Sequence, residues 1–229
     1  MRPTPVKRLA IAALAIAAAA VSTPFVSAQE KNLERQNKEI YQQLAKALND
    51  LVDDDGADGL GERLNASDRR RVEEDLKKTD GGEYAKLVKD FKKRWKDKYK
   101  ADYNPESRLN VIDNNPVERF EYEGVKYATV KFAALGGDDP FEIRMAQQKD
   151  TGNWRIQLND KLTGQRLVRR LEYSFEDLNG QIDSWKSDPA GLTEAYTVAN
   201  RRLLGVFDYD PQQKKKTDDD DKKAAKKRK

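Results

Sequence analysis

The segments FEYEGVKYATVKF (120–132) and FEIRMAQQKDTGNWRIQL (141–158) decide the fold. In the second, Phe141, Ile143 and Met145 alternate with Glu142 and Arg144, and Trp154, Ile156 and Leu158 alternate with Arg155 and Gln157. A two-residue period of this kind marks strands with one buried face. In the first, Glu123-Gly124 separates two strand-like triplets, and a glycine in a two-residue loop supplies the positive φ of a tight hairpin. The resulting register sets Tyr122 opposite Val125 and Phe120 opposite Tyr127, with Glu121 meeting Lys126 on the other side. Val130 and Phe132 then fall on the Glu121 side, which requires burial on both faces or a bulge. Gly136–Pro140 breaks the run, and Asp150–Asn153 turns one strand back into the next.

Helical patterns flank this block. Leu33, Ile40, Leu44, Ala47 and Leu51 form a narrow apolar stripe on a first helix from about Glu30 to Val52. A short charged helix over Asp68–Lys78 buries only Val72 and Leu76 and is capped by Asn65 or Ser67. A stronger one over Glu83–Tyr103 carries Tyr84, Leu87, Val88, Phe91, Trp95 and Tyr99 on one face and is stopped by Pro105. After the strands, a helix beginning near Thr163 presents Leu167, Leu171, Phe175, Leu178, Ile182 and Trp185, with a bend or break at Gly180. Asp188-Pro189 is an N-cap followed by a first-turn proline, opening a last helix to Gly205. Val206, Phe207 and Tyr209 then have the content of a segment that docks on the core. The expected fold class is α+β: N-terminal helices, a curved antiparallel meander of three to four strands, then C-terminal helices.

Both ends differ from this body. Arg2, Lys7 and Arg8 precede an apolar run, Leu9–Val21, and Val26-Ser27-Ala28 has the small residues of a signal-peptidase site. Cleavage after Ala28 and export to a periplasm or beyond are expected. The run of 13 residues falls short of the roughly 20 needed to span a bilayer. No transmembrane segment is therefore expected after processing. The whole chain holds 44 basic and 40 acidic residues; removing residues 1–28 leaves 41 against 40. Residues 211–229 carry nine basic residues and four Asp, so residues 29–210 have a net charge of −4. That stretch is read as a single domain, and its sign disfavours a nucleic-acid-binding face. The tail has no apolar residue larger than Ala and is expected to be disordered. Its Lys222, Lys223, Lys226, Lys227, Arg228 and Lys229 are candidate contacts to an anionic polymer or lipid surface. Asp218–Lys222 also spells a protease-tag sequence, whereas continuation into a second basic run is the mark of a natural tail.

Histidine and cysteine are both missing. This removes Ser-His-Asp triads, cysteine nucleophiles, CxxC redox chemistry and the usual zinc and copper ligand sets. Gly136-Gly137 lacks the spacing of a phosphate-cradling loop. An enzyme would be limited to a carboxylate pair, a Ser-Lys dyad or an all-oxygen metal site, and no pair stands out among so many acids. The loop Asp53–Glu62 starts like a calcium loop, with Asp54, Asp58 and Glu62 in step. Gly56, Gly61 and Asn65 then occupy positions where ligands or an apolar residue belong. It reads as a solvated connection, and neither metal nor cofactor is expected.

The element order, with Gly152-Asn153-Trp154-Arg155-Ile156, Asn159-Asp160 and a following helix bearing Tyr173 and Phe175, resembles the nuclear-transport-factor-like superfamily. It is also similar to exported phospholipid-shuttling proteins of that shape. The likeness covers roughly Val117 to Asp177 and implies a cone-shaped fold in which sheet and helices enclose a pocket. The expected function is an exported, soluble, non-catalytic binding or interaction module whose partner is an unknown protein or an apolar small molecule. The alternatives are a carrier of an apolar small molecule such as a lipid, and a carboxylate-dependent hydrolase. Any pocket is expected on the Phe120/Tyr122/Tyr127 face, with Phe141, Met145 and Trp154 joining it if the register allows. The competing expectation is that Phe91, Trp95, Leu171 and Phe175 simply fill that surface.

Overall fold

The computed structural model describes residues 23–53, 56–135 and 138–209. The basic start and apolar run of the expected signal segment (1–22), Asp54 and Asp55 of the acidic loop, and the charged tail lie outside the described residues, whereas Val26, Ser27 and Ala28 of the expected cleavage site fall within them. The chain divides into two compact units, Met1–Glu39 and Ile40–Lys229. Helix α1 runs over Thr23–Leu51, longer at its start than the apolar stripe alone requires. In the first unit, residues 31–39 of α1 are mostly exposed, Leu33 included. Arg35 there lies near Glu39 one turn on.

The second unit has the expected α+β order. Helix α2 covers Ala66–Lys77 and α3 Glu83–Tyr99. Four strands follow: β1 Val117–Tyr122, β2 Val125–Phe132, β3 Phe141–Gln147 and β4 Trp154–Gln157. Helices α4, Gly164–Gln181, and α5, Pro189–Leu204, complete it. The strands form one antiparallel meander in the order β1-β2-β3-β4. No helix among the described residues is long and apolar enough to cross a membrane.

The start signals read from sequence are in place. Asn65 Oδ1 accepts from Asp68 N at 2.9 Å, while Ser67 supports Asn65 rather than capping the helix itself. Asp188 caps α5 through Gly191 N at 2.7 Å, and Thr163 caps α4. Gly180 does not divide α4, which continues to Gln181 and tightens into a 3-10 turn at Ile182–Ser184. The Asp53–Glu62 connection folds into a 3-10 turn at Asp58–Arg63 that buries Leu60.

The core is aromatic where α3, α4 and α5 meet. Phe91 contacts Phe175, Trp95 and Tyr103, and Trp95 also contacts Tyr196 and Trp185, with centroid separations between 4.8 and 6.2 Å. Edge-on pairs of this kind add to the apolar area they bury. A nearly buried carboxylate joins α2 to the sheet. Asp68 pairs with Arg71 and accepts from Leu158 N at 2.8 Å, while Arg71 donates to the Asn159 and Asp160 carbonyls. The last residues close the sheet. Asp208 Oδ1 accepts from Glu142 N and Tyr209 N donates to Glu142 O, extending the ladder beside β3 beyond the end of β4.

Candidate functional site

The β1–β2 hairpin has the register read from its turn: Tyr122 faces Val125, Phe120 faces Tyr127 and Glu121 faces Lys126. Glu123 and Gly124 both have positive φ, 51° and 68°, as a two-residue hairpin loop of this hand requires. The ladder is unbroken from Val117↔Val130 to Tyr122↔Val125, so no bulge places Val130 and Phe132; Ala128, Thr129 and Val130 are buried in succession, so β2 is covered on both faces at that point. The sheet instead buries the opposite face from the one expected. Ala128 pairs with Met145, Val130 with Ile143, Phe132 with Phe141, and Met145 with Ile156. These residues, with Trp154, belong to the hydrophobic core.

The six candidate ligand residues therefore split three and three. Phe141, Met145 and Trp154 are core residues, and Phe141 stacks on Phe132 at 4.5 Å. Phe120, Tyr122 and Tyr127 point the other way, and the first two are 42% and 62% exposed. Phe91, Trp95, Leu171 and Phe175 are indeed fully buried, but the strand face that shares the core with them is that of Val130 and Met145.

Alternation and pairing define the outer face row by row. One row reads Glu118, Thr129, Arg144, Gln157 across the four strands; the next reads Phe120, Tyr127, Ala146, Arg155. Phe120 and Tyr127 stack at 5.1 Å with their planes 14° apart. Arg144 lies 3.7 Å from the Tyr209 ring centroid and 5.4 Å from that of Phe120. Its Nε is buried without a hydrogen-bond partner, as is Oε1 of Gln157 directly opposite. Glu118 and Glu142, the carboxylates of this face, approach Lys131 instead, at 2.6 and 3.9 Å. Arg155 does not project from the face; it folds back to donate to its neighbour's carbonyl at Trp154 and to Gln43 of α1. The outer face thus offers exposed aromatic surface around one guanidinium with no acidic partner among the described residues.

A concavity of about 450 Å³ lies at the Phe141 end of β3, lined by Phe141, Arg170, Tyr173, Arg201 and Arg202 among others. Its cations are engaged internally. Arg201 donates to the Asp139 carbonyl and sits over the Phe141 ring, and Arg202 pairs with Asp138 and Asp177. These contacts pin the segment that leads into β3. The chemistry available on the outer face is recognition: apolar contact, cation–π stacking and charge-assisted hydrogen bonding. Among the described residues no group of three acidic side chains is arranged to hold a metal ion. Sequence reasoning missed Arg144 and Tyr209; the only signal for them was an arginine inside an alternating strand and a tyrosine after the last helix. Comparison of the chain with family models, with curated proteins and with solved structures finds no match.

Proposed function

We propose that this chain is an exported, non-catalytic interaction module that docks a partner protein on the outer face of its sheet. The observation that carries the reading is the exposed Phe120/Tyr122 surface beside Tyr127 and Arg144. Aromatic residues and arginine are the side chains enriched where proteins meet, and exposed apolar patches bordered by polar residues mark such surfaces. Export is supported by the basic start, the apolar run and the Val26-Ser27-Ala28 site. The carrier reading placed any pocket on the Phe120/Tyr122/Tyr127 face, with Phe141, Met145 and Trp154 joining only if the register allowed, and those three are packed in the core.

A photo-crosslinking side chain at position 122, in the chain expressed in its own host, tests this. A discrete adduct from position 122, absent when the same group stands at the equally open Tyr173 on α4, is the expected result. Identical patterns from the two positions, or no adduct from 122, would refute the docking face.

A further inference from the structure

We infer that the partner presents an acidic polypeptide segment, with carboxylates beside apolar side chains, and that Arg144 is the point on which a carboxylate seats. This rests on the reading of the outer face as the docking surface. The guanidinium is held in place before any partner arrives, because it lies over the ring of Tyr209 and near that of Phe120. Glu118 and Glu142 approach Lys131 rather than this guanidinium. A planar, pre-oriented guanidinium loses little on binding and matches a carboxylate through paired N–H donors.

The surroundings select the kind of molecule that carries the carboxylate. Phe120 and Tyr127 stack on one another, and Phe120 also neighbours Arg144. The faces that Phe120 and Tyr127 turn to each other are closed to flat stacking by a sugar. Ring edges and the exposed body of Tyr122 remain, and these suit the side chains of a polypeptide.

The chain's own continuation adds to the attraction. The described chain ends at Tyr209, whose ring rests on Arg144. Residues 211–229 follow, nine basic against four acidic, while residues 29–210 are net negative. A basic run in the same chain adds long-range attraction for an acidic segment.

The test uses the full chain and fluorescence anisotropy at about 0.15 M salt, where surface charges are screened beyond roughly 8 Å. The probes are a labelled peptide of alternating Glu and Phe, its Lys/Phe counterpart, and polygalacturonate, a sugar polymer bearing carboxylates. The Glu/Phe peptide should bind and the Lys/Phe peptide should not. Arg144→Gln should weaken binding about tenfold, the scale of one charge-assisted pair. Replacing Lys222, Lys223, Lys226, Lys227, Arg228 and Lys229 by Gln should chiefly slow association. Should Arg144→Gln fail to fold by circular dichroism, Arg144→Lys keeps the charge but lacks the planar fork, and a comparable weakening is expected of it. Unchanged affinity in a folded Arg144 variant overturns the inference, as does loss of binding with the tail variant alone. Equal, Arg144-dependent binding of polygalacturonate replaces the polypeptide with an acidic glycan. If no probe binds while adducts still form from position 122, the acidic chemistry is wrong and the docking face stands; if both fail, both fall.

Discussion

Met145→Gln and Tyr122→Gln together test which face of the sheet is buried. Met145 is fully buried between Ala128 and Ile156 on the neighbouring strands. Burial of a methionine contributes about 1.5–3 kcal/mol, of which the glutamine methylenes retain part. The new amide finds no water there, at a cost of about 1–3 kcal/mol. A net loss of about 2–4 kcal/mol is expected, a large fraction of the about 5–15 kcal/mol that holds a typical domain. For a domain of this size that lowers Tm by about 5–15 °C. Tyr122 is 62% exposed on the opposite side, and its replacement should change stability by no more than about 0.5 kcal/mol. Urea and thermal melts followed by circular dichroism measure both. If the Tyr122 variant loses as much as the Met145 variant, or the Met145 variant loses nothing, the face assignment is refuted.

Burial raises the Tyr84 and Tyr103 hydroxyls well above the ordinary tyrosine range. Both stay protonated in the folded chain while the unfolded chain ionises above about pH 10. Stability is therefore full below that pH and falls as pH rises, the slope for these two groups approaching about 2.7 kcal/mol per unit well above pH 10; Tyr41 and Tyr99, also raised by burial, add to it, and urea midpoints from pH 9 to 11 should show the fall, less steep in Tyr84→Phe. Gly191→Ala sets helix propensity against packing. Alanine gains up to about 1 kcal/mol in a helix, but its Cβ would lie 2.4 Å from the Lys186 carbonyl oxygen. A net loss of about 1–3 kcal/mol is expected, and a melt showing stabilisation would contradict it. Asp68→Ala leaves the Arg71 guanidinium and Leu158 N without their carboxylate. It should lower stability by about 3–5 kcal/mol in the same urea assay.

Local chemistry made the hairpin legible. Glu123-Gly124 admits one tight turn, and the turn dictates every pair from Tyr122↔Val125 to Val117↔Val130. Asp188-Pro189 and Thr163 announced their helices for the same reason: an N-cap acts within one turn of chain. The choice of buried face was not local. Within the hairpin alone three of the four aromatics lie on the Phe120 side, so composition pointed there. The decision belongs to β3, whose Phe141, Ile143 and Met145 align with Phe132, Val130 and Ala128. That alignment is reached across residues 133–140, and no residue type in that stretch specifies it. Arg144 was hidden in another way. In an alternating strand an arginine reads as solvent-facing, and what gives it direction is Tyr209, far along the chain.

The closure of the sheet by Asp208 and Tyr209 sets an order on events during synthesis. Until those residues exist, the backbone beside Glu142 lacks the groups that bond to it, and an unpaired strand edge is a template for other chains. The pairing spans more than sixty residues, so closing it is among the costlier steps in chain entropy. A nascent chain that has made all four strands and begun α5 still has an unfinished edge there. Fragments ending before residue 208 should consequently self-associate or be degraded, and the penalty should appear abruptly with length rather than grade with each residue lost.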